Sequence, residues 1–319
     1  MNSPLKEQIR KKAQEFRENR REHEFDGLRV ALGELQDPAL ETLTEKDVIS
    51  LAGRIKRRKG VTLEDFFRLN QAFLQGNEFI NSFMNVTGAI QVLVKELTGR
   101  DSVHQLASCE TLCNLSLGDP PICSRLATTV GSYLVTYLDT SQENRLQITA
   151  LWTIENLLEI QKSREILLSM EIIAKLLNIY TTDYENEEAR ECAGQALSIL
   201  SQFNSFKEKD LLLLAGKRLN NPRVPGAQYY LKIIFESGIL KQNLDQSFVD
   251  YLINFSLECV RNEEFLKVCY AVRVLGNLFA MGRKASESFE ILEVLENCSI
   301  NECLKDEVLW MLRNFYNLV

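Results

Sequence analysis

Two tryptophans are all this chain has, and each stands one helical turn before an asparagine. The first pair, Trp152 and Asn156, lies in ITALWTIENLLEI; the second, Trp310 and Asn314, lies in DEVLWMLRNFYNL. Residues i and i+4 share one face of an α-helix. An asparagine amide offers both a donor and an acceptor to a peptide backbone. The indole one turn away gives an apolar wall for a Lys or Arg stem, with cation–π attraction worth about 0.5–2 kcal/mol. The chemistry open to these pairs is recognition of an extended cationic chain. A plainer alternative stands beside it: Trp on an apolar helix face packs into cores, and Asn can serve as a structural hydrogen bonder.

Other chemistry is poorly supplied. His23 and His104 are the only histidines, which argues against imidazole acid–base catalysis. No nucleophile–base pair or phosphate loop emerges, so no enzymatic activity and no cofactor are expected. His104 with Cys109 and Cys113 lacks a fourth ligand nearby, and the metal expectation is none. The eight cysteines fall mostly within apolar helical patterns, without the spacing of a disulfide framework. With no secretory leader at Met1, they read as reduced core residues of a cytoplasmic or nuclear protein. DLLLLAGKRL is too short for a membrane span, so none is expected.

The elements that must position the pairs are helices. Pro is scarce, and apolar residues recur at i, i+3, i+4 and i+7 along most of the chain. A short helix followed by a longer one returns three times: GAIQVLVKEL then SVHQLASCETLCNLSLG, VGSYLVTYLDT then NRLQITALWTIENLLEI, MEIIAKLLNIY then NEEARECAGQALSILSQF. The equivalent position of each longer helix falls at Asn114, Asn156, Ile199, Asn277 and Asn314. The wide gap between Ile199 and Asn277 holds two units, one poorly marked around GAQYYLKIIFESG. A period near forty predicts a solenoid of the armadillo or HEAT kind, each unit burying its apolar face against its neighbours.

GAIQVLVKEL…ASCETLCNLSLG resembles the armadillo pattern, in which a short helix beginning Gly-x-Ile precedes a long third helix that lines a concave groove. The Trp-x-x-x-Asn pairs resemble those of importin-α, the nuclear-import adaptor. YAVRVLGNLFAMG resembles its variant with Arg in place of Trp, which makes Arg273 and Asn277 a third pair. CETLCNL keeps the amide at Asn114, with Glu110 where Trp would stand. The resemblance implies that Trp152, Asn156, Trp310, Asn314, Arg273, Asn277 and Asn114 line a groove for basic cargo peptides. Gln195 and Ile199 replace the pair in the intervening unit, leaving an early and a late group.

The N-terminal LKEQIRKKAQEFRENRREHEFDGLR is charged and poor in apolar residues, as an exposed helix would be. It resembles the importin-β-binding segment of importin-α, with Arg20, Arg21, Leu28 and Arg29 in matching positions. RIKRRKG, with Lys56, Arg57 and Arg58, stands for that segment's downstream basic box. A solvated, salt-bridged helix is the alternative for this arm. Residues 1–60 carry 14 basic and 11 acidic groups, a net of +3, so −10 of the chain's −7 total falls on the remainder. An acidic array suits basic peptides and disfavours nucleic acid.

The expected architecture is thus all-α: an armadillo-repeat right-handed solenoid with an N-terminal extended basic helix. Residues 1–60 form the arm, and 61–319 form about six repeats with degenerate central ones. Nearly the whole chain is similar to the transmembrane and coiled-coil domain-containing protein 6 family, although no stretch supports the first word of that name. The resemblance implies a nuclear import adaptor, cytoplasmic and nuclear, that binds basic cargo in the groove and an importin-β-type carrier through the arm. The alternative is an armadillo protein–protein interaction scaffold with no transport role.

Overall fold

A computed structural model describes residues 43–139, 144–182, 186–219, 221–224, 226–261, 265–283 and 305–316. Among these there are fifteen α-helices, one short 3-10 turn and no strand. The chain divides into two compact units between Cys123 and Ser124, within the helix Pro120–Thr136.

The first unit holds α1 (Glu45–Arg58), α2 (Leu63–Gln75), α3 (Asn77–Met84), α4 (Ala89–Leu97) and α5 (Ser102–Leu115), with the start of α6 (Pro120–Thr136). Local sequence sets the helix starts. Thr44 and Asp47 form a capping box at α1, and Thr62 and Asp65 form another at α2. Asp101 accepts from the Val103 and His104 amides at α5. The apolar stripe of α1, Val48, Leu51, Ala52 and Ile55, is buried against neighbouring helices. Asp65 ties the two capped helices together by accepting from Arg54 and Arg58, each at 2.7 Å.

This packing moves the expected boundary at residue 60. Residues 45–58 were assigned to an extended arm because of the RIKRRKG charges. The stripe one face away makes that helix part of the first unit's core. Arg58 is held by Asp65, while Lys56 and Arg57 remain exposed. Arg20, Arg21, Leu28 and Arg29, and the extended helix expected there, lie outside the described residues.

The second unit continues α6 and holds α7 (Asn144–Leu158), α8 (Gln161–Ser169), α9 (Ile172–Thr181), α10 (Glu187–Gln202), α11 (Glu208–Ala215), α12 (Ala227–Glu236), α13 (Gln246–Arg261), α14 (Phe265–Ala280) and α15 (Lys305–Tyr316). The third-helix positions are α2 and α5 in the first unit, then α7, α10, α12, α14 and α15 in the second. Within each unit, successive members pack on one another. Side chains anchor two of them to what precedes: Ser108 Oγ donates to the Leu93 carbonyl on α4, and Gln147 Nε2 to the Leu138 carbonyl in the turn after α6.

The poorly marked unit has a physical explanation. Among its described residues, an irregular segment runs between α11 and α12. Its backbone groups need partners, and tyrosine hydroxyls supply them. Tyr230 donates to the Lys217 carbonyl; Tyr251 accepts from the Leu219 amide and donates to the Leu219 carbonyl. Tyr180 donates to the Gly226 carbonyl at 2.8 Å, where Gly226 turns into α12 with φ +82°. Burial pushes the Tyr180 and Tyr230 hydroxyls well above their ordinary pKa, and that of Tyr251 up to about 12.

Candidate binding face of the third helices

The second unit presents the three expected pairs, on α7, α14 and α15. Trp152 and Asn156 are both half-buried on α7, one turn apart on the same face. On the adjoining α10, Cys192 sits beside the indole. Burial raises this thiol well above its ordinary pKa; the charge of Glu155 adds to that, a hydrogen bond with the Trp152 side chain opposes it, and Glu188 and Glu191 raise it further. The Trp152 side chain and the charges of three carboxylates from two successive third helices thus all act on the Cys192 thiol. Arg145 and Arg190 belong to the same helices; both lie near the helix starts, and Arg190 is buried.

The late pairs are built differently. Arg273 on α14 donates from both Nε and Nη2 to Glu307 Oε1 on α15, at 3.1 and 2.8 Å. Its guanidinium carbon lies 5.7 Å from the centre of the Phe235 ring on α12 and 5.5 Å from that of Tyr270. Only 15% of the Arg273 side chain and 14% of that of Glu307 are exposed. Asn277 Nδ2 donates to the Arg273 carbonyl of its own helix. Trp310 rests against α14 at Gly276, where a Cβ would overlap the indole's six-membered ring, yet 41% of the residue stays exposed. Asn314 Nδ2 reaches across to the Gly276 carbonyl at 3.4 Å.

In the first unit, Asn114 is 1% exposed and donates to Asn70 on α2, so its amide is committed to holding two third helices together. The plainer role is thus realised at Asn114 and Asn277, and partly at Asn314. Both tryptophans lean on a neighbouring helix while remaining partly exposed.

Several residues of this face escaped the sequence reading. Glu155 stands three residues after Trp152, and Glu191 one turn before Gln195, so the repeat phase alone places both on the exposed side. Phe235 belonged to the unit whose phase was unmarked. Asn70 lies one period before Asn114, a signal available in RLNQAFL. Cys109 and Cys113 are buried core thiols, and His104 Nδ1 lies 3.1 Å from Asp101. Among the described residues, no group of three potential ligands is arranged for a metal ion, and no helix is long and apolar enough to cross a membrane.

No family model and no curated protein matches this chain in sequence. Among solved structures, it is similar to an engineered protein from a structural genomics programme, with 17% identity and a TM-score of 0.63 over 85% of this chain and 68% of that one. A computationally designed armadillo repeat protein for modular peptide recognition matches with 18% identity and a TM-score of 0.49, over 85% of this chain and all of that one. A designed armadillo repeat protein in complex with the peptide (KR)4 matches with 18% identity and a TM-score of 0.48, over 86% and 100%. The first of these likenesses is one of fold. Repeats near forty residues, each pairing short helices with a longer stacked one, make this chain an all-α armadillo-type solenoid.

Proposed function

We propose that this chain is a protein–protein interaction scaffold that holds an extended basic segment of its partner along the third helices of the second unit. The half-buried indole of Trp152 beside α10, in a neighbourhood where Glu155, Glu188 and Glu191 all bear on Cys192, carries the reading. An aromatic wall bordered by carboxylates is what a Lys or Arg side chain needs: a surface for its stem and counter-charges for its head. The −10 net charge of residues 61–319 draws such a segment in and turns nucleic acid away. The scaffold catalyses nothing and needs no cofactor. Because the chain has two tryptophans, a W310F variant leaves Trp152 as the sole indole reporter. Titrating it with a Lys/Arg-rich peptide should shift its emission saturably, whereas an acidic peptide of equal length should not. Equal responses to both peptides would remove the reading.

The narrower form, drawn from the likeness to importin-α and to the transmembrane and coiled-coil domain-containing protein 6 family, is a nuclear import adaptor moving between cytoplasm and nucleus. Its carrier contacts would be Arg20, Arg21, Leu28 and Arg29, joined by the exposed Lys56 and Arg57 at the end of α1. Purified importin-β offered to the intact chain and to an R20A/R21A variant tests it. Binding by the intact chain and not by the variant supports transport; no binding by either leaves the scaffold alone.

A further inference from the structure

Four side chains of the late group make an arrangement that the Trp–Asn motif does not describe. Phe235 from α12 and Tyr270 from α14 place their ring centres 6.5 Å apart at an interplanar angle of 53°. The Arg273 guanidinium lies within cation–π reach of both. Glu307 from α15 closes the end of this space and receives two of the guanidinium's donors on one oxygen. Its other oxygen faces the Cys269 thiol at 3.6 Å. All of these residues are half-buried, so the space opens partly to solvent. Two ring surfaces and a terminal carboxylate are the components with which a protein recognises an arginine side chain from another molecule.

We propose that Phe235, Tyr270 and Glu307 form a guanidinium-binding slot, and that Arg273 is its internal occupant, holding it closed to an arginine of a bound peptide. A simple structural ion pair would need only the contact between Arg273 and Glu307. The two rings, from different repeats and converging on the same cation, are what a slot adds. In its consequence for partners, the inference rests on the scaffold reading, in which the early face around Trp152 takes a cationic side chain while the late slot is filled from within. The slot itself stands independently of that reading.

The test is chemical rescue in the intact chain. R273A should melt at a lower temperature than the parent, and millimolar ethylguanidinium should restore much of the loss. Ethylammonium, with the same charge but no planar fork, should bind about tenfold more weakly. In R273A/E307Q the rescue should vanish. Should R273A fail to fold in buffer, ethylguanidinium present during refolding should recover it. Absence of guanidinium-selective rescue, in melting or in refolding, overturns the slot. So does rescue that persists without the Glu307 carboxylate. Failure of peptide binding at Trp152 would sink the scaffold reading and leave these outcomes unchanged, so the two claims fail separately.

Discussion

Trp152 and Arg273 stand at equivalent positions of two repeats, each one turn before an asparagine, and their surroundings differ. At the early face, α7 contributes an indole and Glu155, and α10 contributes Glu188 and Glu191, all acting on Cys192. At the late face, Arg273, one turn before Asn277, is a cation that takes the carboxylate of the next repeat for itself. Equivalent backbone positions therefore say little about function until the neighbouring repeat is known, because each face is assembled from two or three successive third helices. In the proposed function the early face is an acidic receptor; the late face is a satisfied ion pair flanked by rings.

The comparison breaks most readily at Glu307. Removing its carboxylate by E307A strands the Arg273 charge in a site only 15% exposed, and should cost about 3 kcal/mol in urea unfolding. Loss of Trp152 should cost binding much more than stability, so a small E307A effect would erase the contrast between the faces. A control comes from the first unit. Burial raises the Asp65 pKa, but the cap hydrogen bonds of Thr62 and the contacts of Arg54 and Arg58 outweigh this and hold it below the ordinary carboxylate value. Its stabilisation is complete above the unfolded value of about 3.9 and drains away as pH falls through the lower folded value. D65N should cost about 1–2 kcal/mol at neutral pH and flatten the acid limb of the stability profile, while peptide affinity stays unchanged.

Smaller effects sharpen the contrast. E188Q and E191Q should each weaken a Lys/Arg-rich peptide by about threefold at low salt, less as salt rises, and should leave the melting temperature unchanged. Smallest is N277A, which deletes a hydrogen bond to its own helix and should shift stability by less than about 1 kcal/mol without touching peptide affinity. A binding loss in N277A would mean that the amide faces the ligand after all.

Much of this fold was legible in sequence because solenoid repeats write the same apolar spacing again and again. The longer helices from α5 through α10, and α14 and α15, follow from it. What escaped did so for identifiable reasons. Helix α1 was hidden by its charges: RIKRRKG reads as a solvated tail, although Val48, Leu51, Ala52 and Ile55 set a buried stripe beneath it. The irregular segment before α12 has its backbone held by tyrosine hydroxyls from other helices, and nothing in local propensity announces those partners. The Trp–Asn pairs were visible as residues, but their partners were not. Arg273 finds Glu307 thirty-four residues on, and Asn114 finds Asn70 forty-four residues back. Both distances are set by how repeats stack, and loop lengths that vary from unit to unit blur them.

The most direct test of the central claim is calorimetric titration of a Lys/Arg-rich peptide into the parent chain and into W152A, with unfolding followed in parallel. The account predicts that W152A binds the peptide about tenfold or more weakly while still unfolding in one cooperative transition. Equal affinity in a folded W152A would contradict it, leaving Trp152 a packing residue and the second unit without a cationic-chain receptor at its early face.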